Sequence, residues 1–141
     1  MSGTTTAIVV RNTGGYKAEI IAGNHTTFAD EPISFGGTDQ GPNPYDLLVG
    51  ALGSCTAITL RMYAERKQWP LEHVTVRLEH SRIHAEDEKV CEDQPVRLDQ
   101  VDLKLELTGP LSAEQQARLR EIAGKCPLHR TLSAGVKIRI S

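Results

Sequence analysis

Val101, Leu103, Leu105 and Leu107 alternate with Asp102, Lys104, Glu106 and Thr108, the period of a strand that buries one face and wets the other. The same alternation sets Val74, Val76 and Leu78 against Thr75, Arg77 and Glu79, and Val136, Ile138 and Ile140 against Lys137 and Arg139. Both segments are predicted as half-buried strands, the second being the last element of the chain. Near the N-terminus, short apolar runs at Ala7 to Val10, Ala18 to Ala22 and Thr26 to Ala29 are separated by Gly14-Gly15 and Gly23-Asn24, which describes an antiparallel meander. The polar segment from Ala85 to Pro95 reads as a loop.

Helical patterning begins at Asn43, an N-cap residue followed by a first-turn proline, Pro44, and by Asp46 where the helix dipole favours a negative charge. The apolar stretch runs to about Lys67 or Gln68, where Trp69-Pro70 ends it. That makes a central helix of roughly six turns at ~3.6 residues per turn. The glycine-rich stretch Ser34 to Asn43 just before it lacks both the Lys-Ser/Thr ending of a P-loop and the GxGxxG spacing, so it reads as a connecting loop. A second helix is announced by the capping box of Ser112 with Gln115, with Leu119, Ile122, Ala123 and Cys126 on one stripe. Pro127 then turns the backbone away. The order β-β-β-α-β-β-α-turn-β predicts a single α+β domain over residues 1–141, with antiparallel sheets packed on a long central helix and a second helix.

Composition narrows the function classes. The chain of 141 residues carries 39% hydrophobic and 24% charged residues, but only 4% aromatic, so aliphatic side chains must fill the core and stacking platforms for bases are scarce. Sixteen basic against eighteen acidic residues leave a net charge of -2. The charges are interspersed, without the basic stripe that nucleic acid requires. The N-terminus lacks a signal peptide's positive n-region, and the run from Leu47 to Leu60 is interrupted by glycines and hydroxyl residues, so neither secretion nor a membrane span is expected. The expected location is the cytoplasm, where structural disulfides are disfavoured and a disulfide among the three cysteines would be transient and catalytic.

Cys55 lies within the central helix and shares its face with Leu48, Ala51, Leu52, Ile58, Thr59 and Met62. Pro44 is eleven residues upstream, about 16 Å at ~1.5 Å per residue, too far for the helix N-terminus to stabilise a thiolate there. A small buried thiol in an apolar wall is ordinarily inert. Against that stands Cys126, at the end of the second helix and followed by Pro127-Leu128-His129-Arg130. Helices packed ~8–10 Å apart could bring the sulfurs together.

The segments Gly41-Pro42-Asn43-Pro44-Tyr45-Asp46-Leu47-Leu48 and Ala51-Leu52-Gly53-Ser54-Cys55-Thr56, with Cys126-Pro127-Leu128-His129-Arg130-Thr131-Leu132, resemble the OsmC/Ohr superfamily of osmotically induced and organic hydroperoxide resistance proteins. The likeness runs from about Gly14 to Ile140 and is nearest to the broad OsmC-like branch. It implies an intertwined homodimer with active sites at the subunit interface, acting as a thiol peroxidase without cofactor or metal. Cys55 would be the peroxidatic thiol, oxidised to a sulfenic acid, and Cys126 the resolving thiol, forming a disulfide that an external dithiol reduces. The apolar face around Cys55 suits an organic hydroperoxide.

The resemblance also implies an activating Glu just after the helix-opening Asn-Pro and an Arg after Thr-Gly-Gly; here those positions hold Tyr45 and Tyr16. Asp46 points away from Cys55 around the helix and does not replace the Glu. Tyr16 or Tyr45 could donate a hydrogen bond to the peroxide or thiolate, and Arg11, Lys17, Arg82 or Arg130 could supply a cation. His84, within His80-Ser81-Arg82-Ile83-His84, could shape the pocket or the dimer surface. Two other functions stay open: a non-catalytic module of the same fold that binds or senses a small hydrophobic ligand at the dimer interface, and metal binding by His80, His84 and Cys91. The spacing of that last set matches no strong zinc signature, which favours solvated histidines in a loop and Cys91 as an exposed spectator.

Overall fold

The structure, a computed structural model, describes residues 7–84 and 97–141, with side chains over 7–81 and 99–141. The expected loop from Ala85 to Pro95, with Cys91, lies outside the described residues. The chain divides into two compact units, residues 1–48 and 49–141.

In the first unit, strands β1 (Ile8–Arg11), β2 (Ala18–Ala22) and β3 (His25–Ala29) form an antiparallel sheet in the order β1-β2-β3. The meander is the one its turn residues predict. Ala22 pairs with His25 across the Gly23-Asn24 turn, where Gly23 takes a φ of 62°, the left-handed geometry of tight hairpins. The glycine-rich stretch is a connecting loop, as expected, and it is clasped by Asp30. This carboxylate is 1% exposed; it accepts hydrogen bonds from the Thr38 hydroxyl at 2.5 Å, the Glu31 N–H at 2.7 Å and the Gln40 N–H at 3.2 Å. The loop passes so close to Glu31 that a Cβ on Gly37 would lie 1.9 Å from the Glu31 carbonyl oxygen.

Helix α1 (Pro44–Lys67) begins in the first unit and continues into the second. Asn43 caps it, accepting the Asp46 N–H at 2.8 Å while Asp46 accepts the Asn43 N–H at 3.4 Å. Its end comes where Trp69-Pro70 predicts: Gln68 turns left-handed at φ 57°.

In the second unit, β4 (His73–His84) and β5 (Arg97–Thr108) pair antiparallel from His73 opposite Thr108 to His84 opposite Arg97. Both strands run well past the alternating segments, because each residue added to the ladder satisfies backbone donors and acceptors whatever its polarity. Helix α2 (Ala113–Ala123) carries the expected capping box. A core of Leu60, Ala64, Leu71, Leu119, Ile122 and Ala123 joins α1 to α2, with Val74, Leu105 and Leu107 of the hairpin packed against it. Arg118 reinforces the join by donating to the Tyr63 hydroxyl at 3.1 Å.

Two expectations fail. Residues 127–132, read as a turn, begin a third helix, α3 (Pro127–Ala134), with proline at its first position, where its missing N–H costs nothing. Residues 136–140 form no strand: Ile138 is 80% and Ile140 95% exposed. A strand needs a neighbour for its N–H and C=O groups, and among the described residues of a single chain none pairs with this one.

The Asp30 clasp makes the first unit sensitive to acid. Its hydrogen bonds, foremost from Thr38, outweigh burial and bring its pKa from 3.8 down to about 2. A carboxylate depressed in the folded state stabilises it fully above the unfolded value of 3.8 and loses that contribution as pH falls through about 2. Acid titration followed by amide NMR should show the 30–42 loop opening in that interval, and Asp30→Asn should open it already at neutral pH.

Candidate active site

The buried stripe of α1 is Leu52, Gly53, Thr56, Leu60 and Ala64. These positions recur at three and four residues, so they lie along one face, and the helix comes so near β4 that a Cβ on Gly53 would lie 2.7 Å from Leu78 Cδ1. Cys55 sits on the border of that face and is half-buried. Beyond it run Ala51, Ile58 and Met62, which are exposed. The apolar surroundings expected for Cys55 are real, but one side of them is open in the single chain. Cys55 is therefore no enclosed core thiol.

Cys126 is buried completely, at 0% exposure. It was expected to close α2, yet α2 ends at Ala123, and Cys126 is the N-cap residue of α3. Its carbonyl accepts the Arg130 N–H at 3.1 Å. Its sulfur lies 2.8 Å from the Cys55 sulfur, longer than the ~2.05 Å of a disulfide; both cysteines are free. Burial by itself would raise the Cys126 pKa, but the neighbouring Cys55 thiol and the nearby His129 and Leu128 backbone N–H groups outweigh it and leave the thiol below its ordinary 9.0.

Thr56 and the amides of Leu128 and His129 are site groups that sequence reasoning missed. Pro127, a proline at a helix-starting position, was the available sign of the amides. Thr56 is fully buried and donates to the Leu52 carbonyl at 2.9 Å, so its hydroxyl is held in place beside the sulfur.

The other candidate residues fall elsewhere. Arg11 ends β1 opposite Glu19, and Tyr16 packs within the first unit, its ring 3.0 Å from where a Cβ on Gly36 would stand. Lys17 is occupied with Gln40 at 2.8 Å and lies over the Phe28 ring. Tyr45 is in the first turn of α1, 45% exposed. Arg130 lies in the first turn of α3 with its side chain exposed. His80 is not in a loop but in β4, paired with Asp99 at 2.9 Å. His84 is the last residue of β4; its side chain, that of Arg82 and all of Cys91 lie outside the described residues, and with them the metal set. Of the two guanidiniums on α1, Arg61 binds the Leu71 and Glu72 carbonyls at 2.5 and 2.7 Å and Arg66 lies in the last turn.

Between α2, α3 and β5 lies a cleft of about 510 Å³. Leu52, Val101, Leu103, Leu105 and Leu132 supply its apolar wall, with Arg120 and His129 at its edge.

The family model described as OsmC-like protein matches residues 37–141. No curated protein matches the sequence. Among solved structures, the chain is similar to an OsmC like protein from Mycoplasma pneumoniae, at 18% identity and a TM-score of 0.70, covering 94% of this chain and 89% of that one. It is also similar to an organic hydroperoxide resistance protein OsmC from Legionella pneumophila, at 21% identity and a TM-score of 0.65, covering 92% and 90%. A third similar structure is an organic hydroperoxide resistance protein from Elizabethkingia anophelis, at 21% identity and a TM-score of 0.64, covering 92% and 89%.

Sulfurs this close should oxidise to each other. Treating the folded protein with one equivalent of diamide should give an intrachain Cys55–Cys126 disulfide, seen as a single cross-linked peptide pair by mass spectrometry. Failure of Cys55 and Cys126 to cross-link to each other would contradict the geometry.

Proposed function

The chain belongs to the OsmC-like family, and from that premise we propose that it is a cysteine-dependent reductase of organic hydroperoxides. The observation that carries this reading is the 2.8 Å approach of Cys55 to Cys126. A peroxidatic sulfur needs access to substrate, and Cys55 is the partly exposed member of the pair. A resolving sulfur needs only to reach the first, and Cys126 is the enclosed one. The Cys55 thiolate attacks the peroxide O–O bond and becomes a sulfenic acid while the peroxide leaves as an alcohol. Cys126 then displaces hydroxide from that sulfenic acid to form the disulfide, and an external dithiol returns both cysteines to thiols.

The leucine-lined cleft, which takes in Leu52 and His129 although neither sulfur lines it, favours an alkyl or aryl hydroperoxide over hydrogen peroxide, since an apolar substituent gains from leaving water. The names of the Legionella and Elizabethkingia proteins, both for organic hydroperoxide resistance, agree with that substrate class. The need for a dithiol reductant fits a cytoplasmic setting.

The working form is a homodimer. Ile58 and Met62 remain 59% and 58% exposed beside Cys55, and Val136, Ile138 and Ile140 form an exposed apolar stripe on an unpaired terminal segment. A second copy covers both and places the thiol pair at the interface.

Cys55→Ser should reduce cumene hydroperoxide turnover, coupled to a dithiol such as reduced lipoamide, to the uncatalysed level, and wild type should prefer cumene hydroperoxide to hydrogen peroxide. A wild type that consumes neither peroxide sinks the catalytic reading and leaves the ligand-binding one. For the dimer, Ile58→Glu with Met62→Glu should weaken association at least about tenfold, or ~1.4 kcal/mol, by sedimentation equilibrium.

A further inference from the structure

The two sulfurs of the pair are 2.8 Å apart, both cysteines are free, and they stand 71 residues apart in the chain, one within α1 and the other at the start of α3. Folding alone brings them together. Cys55 is half-buried, with the exposed side chains of Ala51, Ile58 and Met62 on its open side, whereas Cys126 is sealed at 0% exposure. A reagent entering from that side meets Cys55 first and Cys126 directly behind it.

Two adjacent sulfurs are an incomplete shell for the common protein metals. Structural zinc takes four ligands, and among the described residues no three His, Cys, Asp or Glu side chains converge. His129, three residues beyond Cys126, lines the leucine cleft, which neither sulfur lines, and His80 is paired with Asp99. Copper(I), a soft ion that thiolates select, sets two sulfurs on opposite sides of itself when it has no third ligand, and sulfurs in contact within a packed core do not part that far. What fits is a soft electrophile that completes its shell with two neighbouring sulfurs and a third group of its own. Trivalent arsenic carrying one organic substituent has that shape: three-coordinate, pyramidal, with only its oxygen exchangeable for sulfur.

We propose that Cys55 and Cys126 form a chelating site for monosubstituted trivalent arsenicals, R–As=O with an alkyl or aryl R. The site goes beyond peroxide reduction and needs only the sulfur geometry. The Cys55 sulfur adds to arsenic: an As–S bond forms, the As=O bond becomes As–OH, and the thiol proton goes to that oxygen. Cys126 then displaces the hydroxyl, which takes the second thiol proton and leaves as water. Two thiols and one R–As=O thus become one R–As bridge between the sulfurs and one water. Arsenic stays trivalent throughout, so no oxidant or reductant enters. The substituent R lies toward Ala51, Ile58 and Met62, where an apolar group gains from leaving water. Because core packing has already placed the second sulfur beside the first, the second bond forms at high effective concentration. In the unfolded chain the same bond must first close a loop spanning 71 residues. The folded protein therefore holds the arsenical more tightly than the unfolded one.

The probe is phenylarsine oxide, added at one equivalent to the Cys91→Ser protein in excess glutathione, a monothiol that strips arsenic held by one sulfur. Native mass spectrometry should show one phenylarsenic group per chain, a gain of phenylarsine oxide less one water. Thermal unfolding should move to higher temperature, since the ligand favours the folded pair. Adding Cys55→Ser or Cys126→Ser leaves one sulfur of the pair and should weaken retention about a hundredfold or more. Cys55→Ser is decisive by itself should loss of the sealed Cys126 sulfur prevent folding. A folded Cys55→Ser protein that retains the arsenical as its parent does overturns the proposal. So does a parent protein that retains none, or one that the bound arsenical fails to stabilise against heat. Peroxide turnover is a separate readout. A protein that reduces cumene hydroperoxide but releases phenylarsine oxide to glutathione overturns the chelating site and leaves the reductase reading intact, and one that holds the arsenical but reduces no peroxide supports the site while the reductase reading falls.

Discussion

The packing of α1 on α2 is the contact from which the chemistry of this protein descends. Leu60 and Leu119 are completely buried, and with Ala64, Ile122 and Ala123 they make one seam. These side chains share one cluster, and α2 stops just beyond it. The chain must then turn, and the residue at which it re-enters helix is Cys126. Its sulfur is thereby delivered against α1 one turn before Leu60, at Cys55 and Thr56. Tyr63 and Arg118 reinforce the same join from its other end. The distance between the sulfurs is a consequence of core packing, so it is set with the rigidity of a core.

This origin gives the two thiols different surroundings from one geometry. A mid-helix position offers a side chain no backbone donors, whereas an N-cap offers several. Burial opposes charge at Cys126, and donors favour it. Fixed amide dipoles can hold charge inside a fold at little reorganisation cost.

The single chain also leaves work undone. By length and composition α1 could cross a membrane, yet Leu60 and Ala64 are sealed in the protein core, as in the central helix of a folded domain. Its other face presents Ile58 and Met62 to water next to the half-buried thiol. Exposed side chains of this size, together with an alternating terminal segment that pairs with nothing described, mean that hydrophobic burial in this chain is unfinished.

Local rules were enough for much of this. Asn43 with Asp46, Ser112 with Gln115, Gly23-Asn24 and Trp69-Pro70 each act through neighbours within a few residues, so the ends of the helices and the turns of the meander were legible in the sequence. So were the α+β class and the two thiols, the latter through motif resemblance. What required tertiary structure depended on partners distant in the chain. The reach of β4 and β5 was decided by cross-strand pairing, which backbone groups enforce regardless of side chain. The C-terminal alternation between Val136 and Ile140 states a strand's propensity, but a strand exists only where another edge meets it. Cys126 shows the same division most clearly. The sequence by itself places a thiol before Pro127, but whether it ends one helix or begins the next depends on where α2 leaves the core, and only that packing brings its sulfur within 2.8 Å of Cys55.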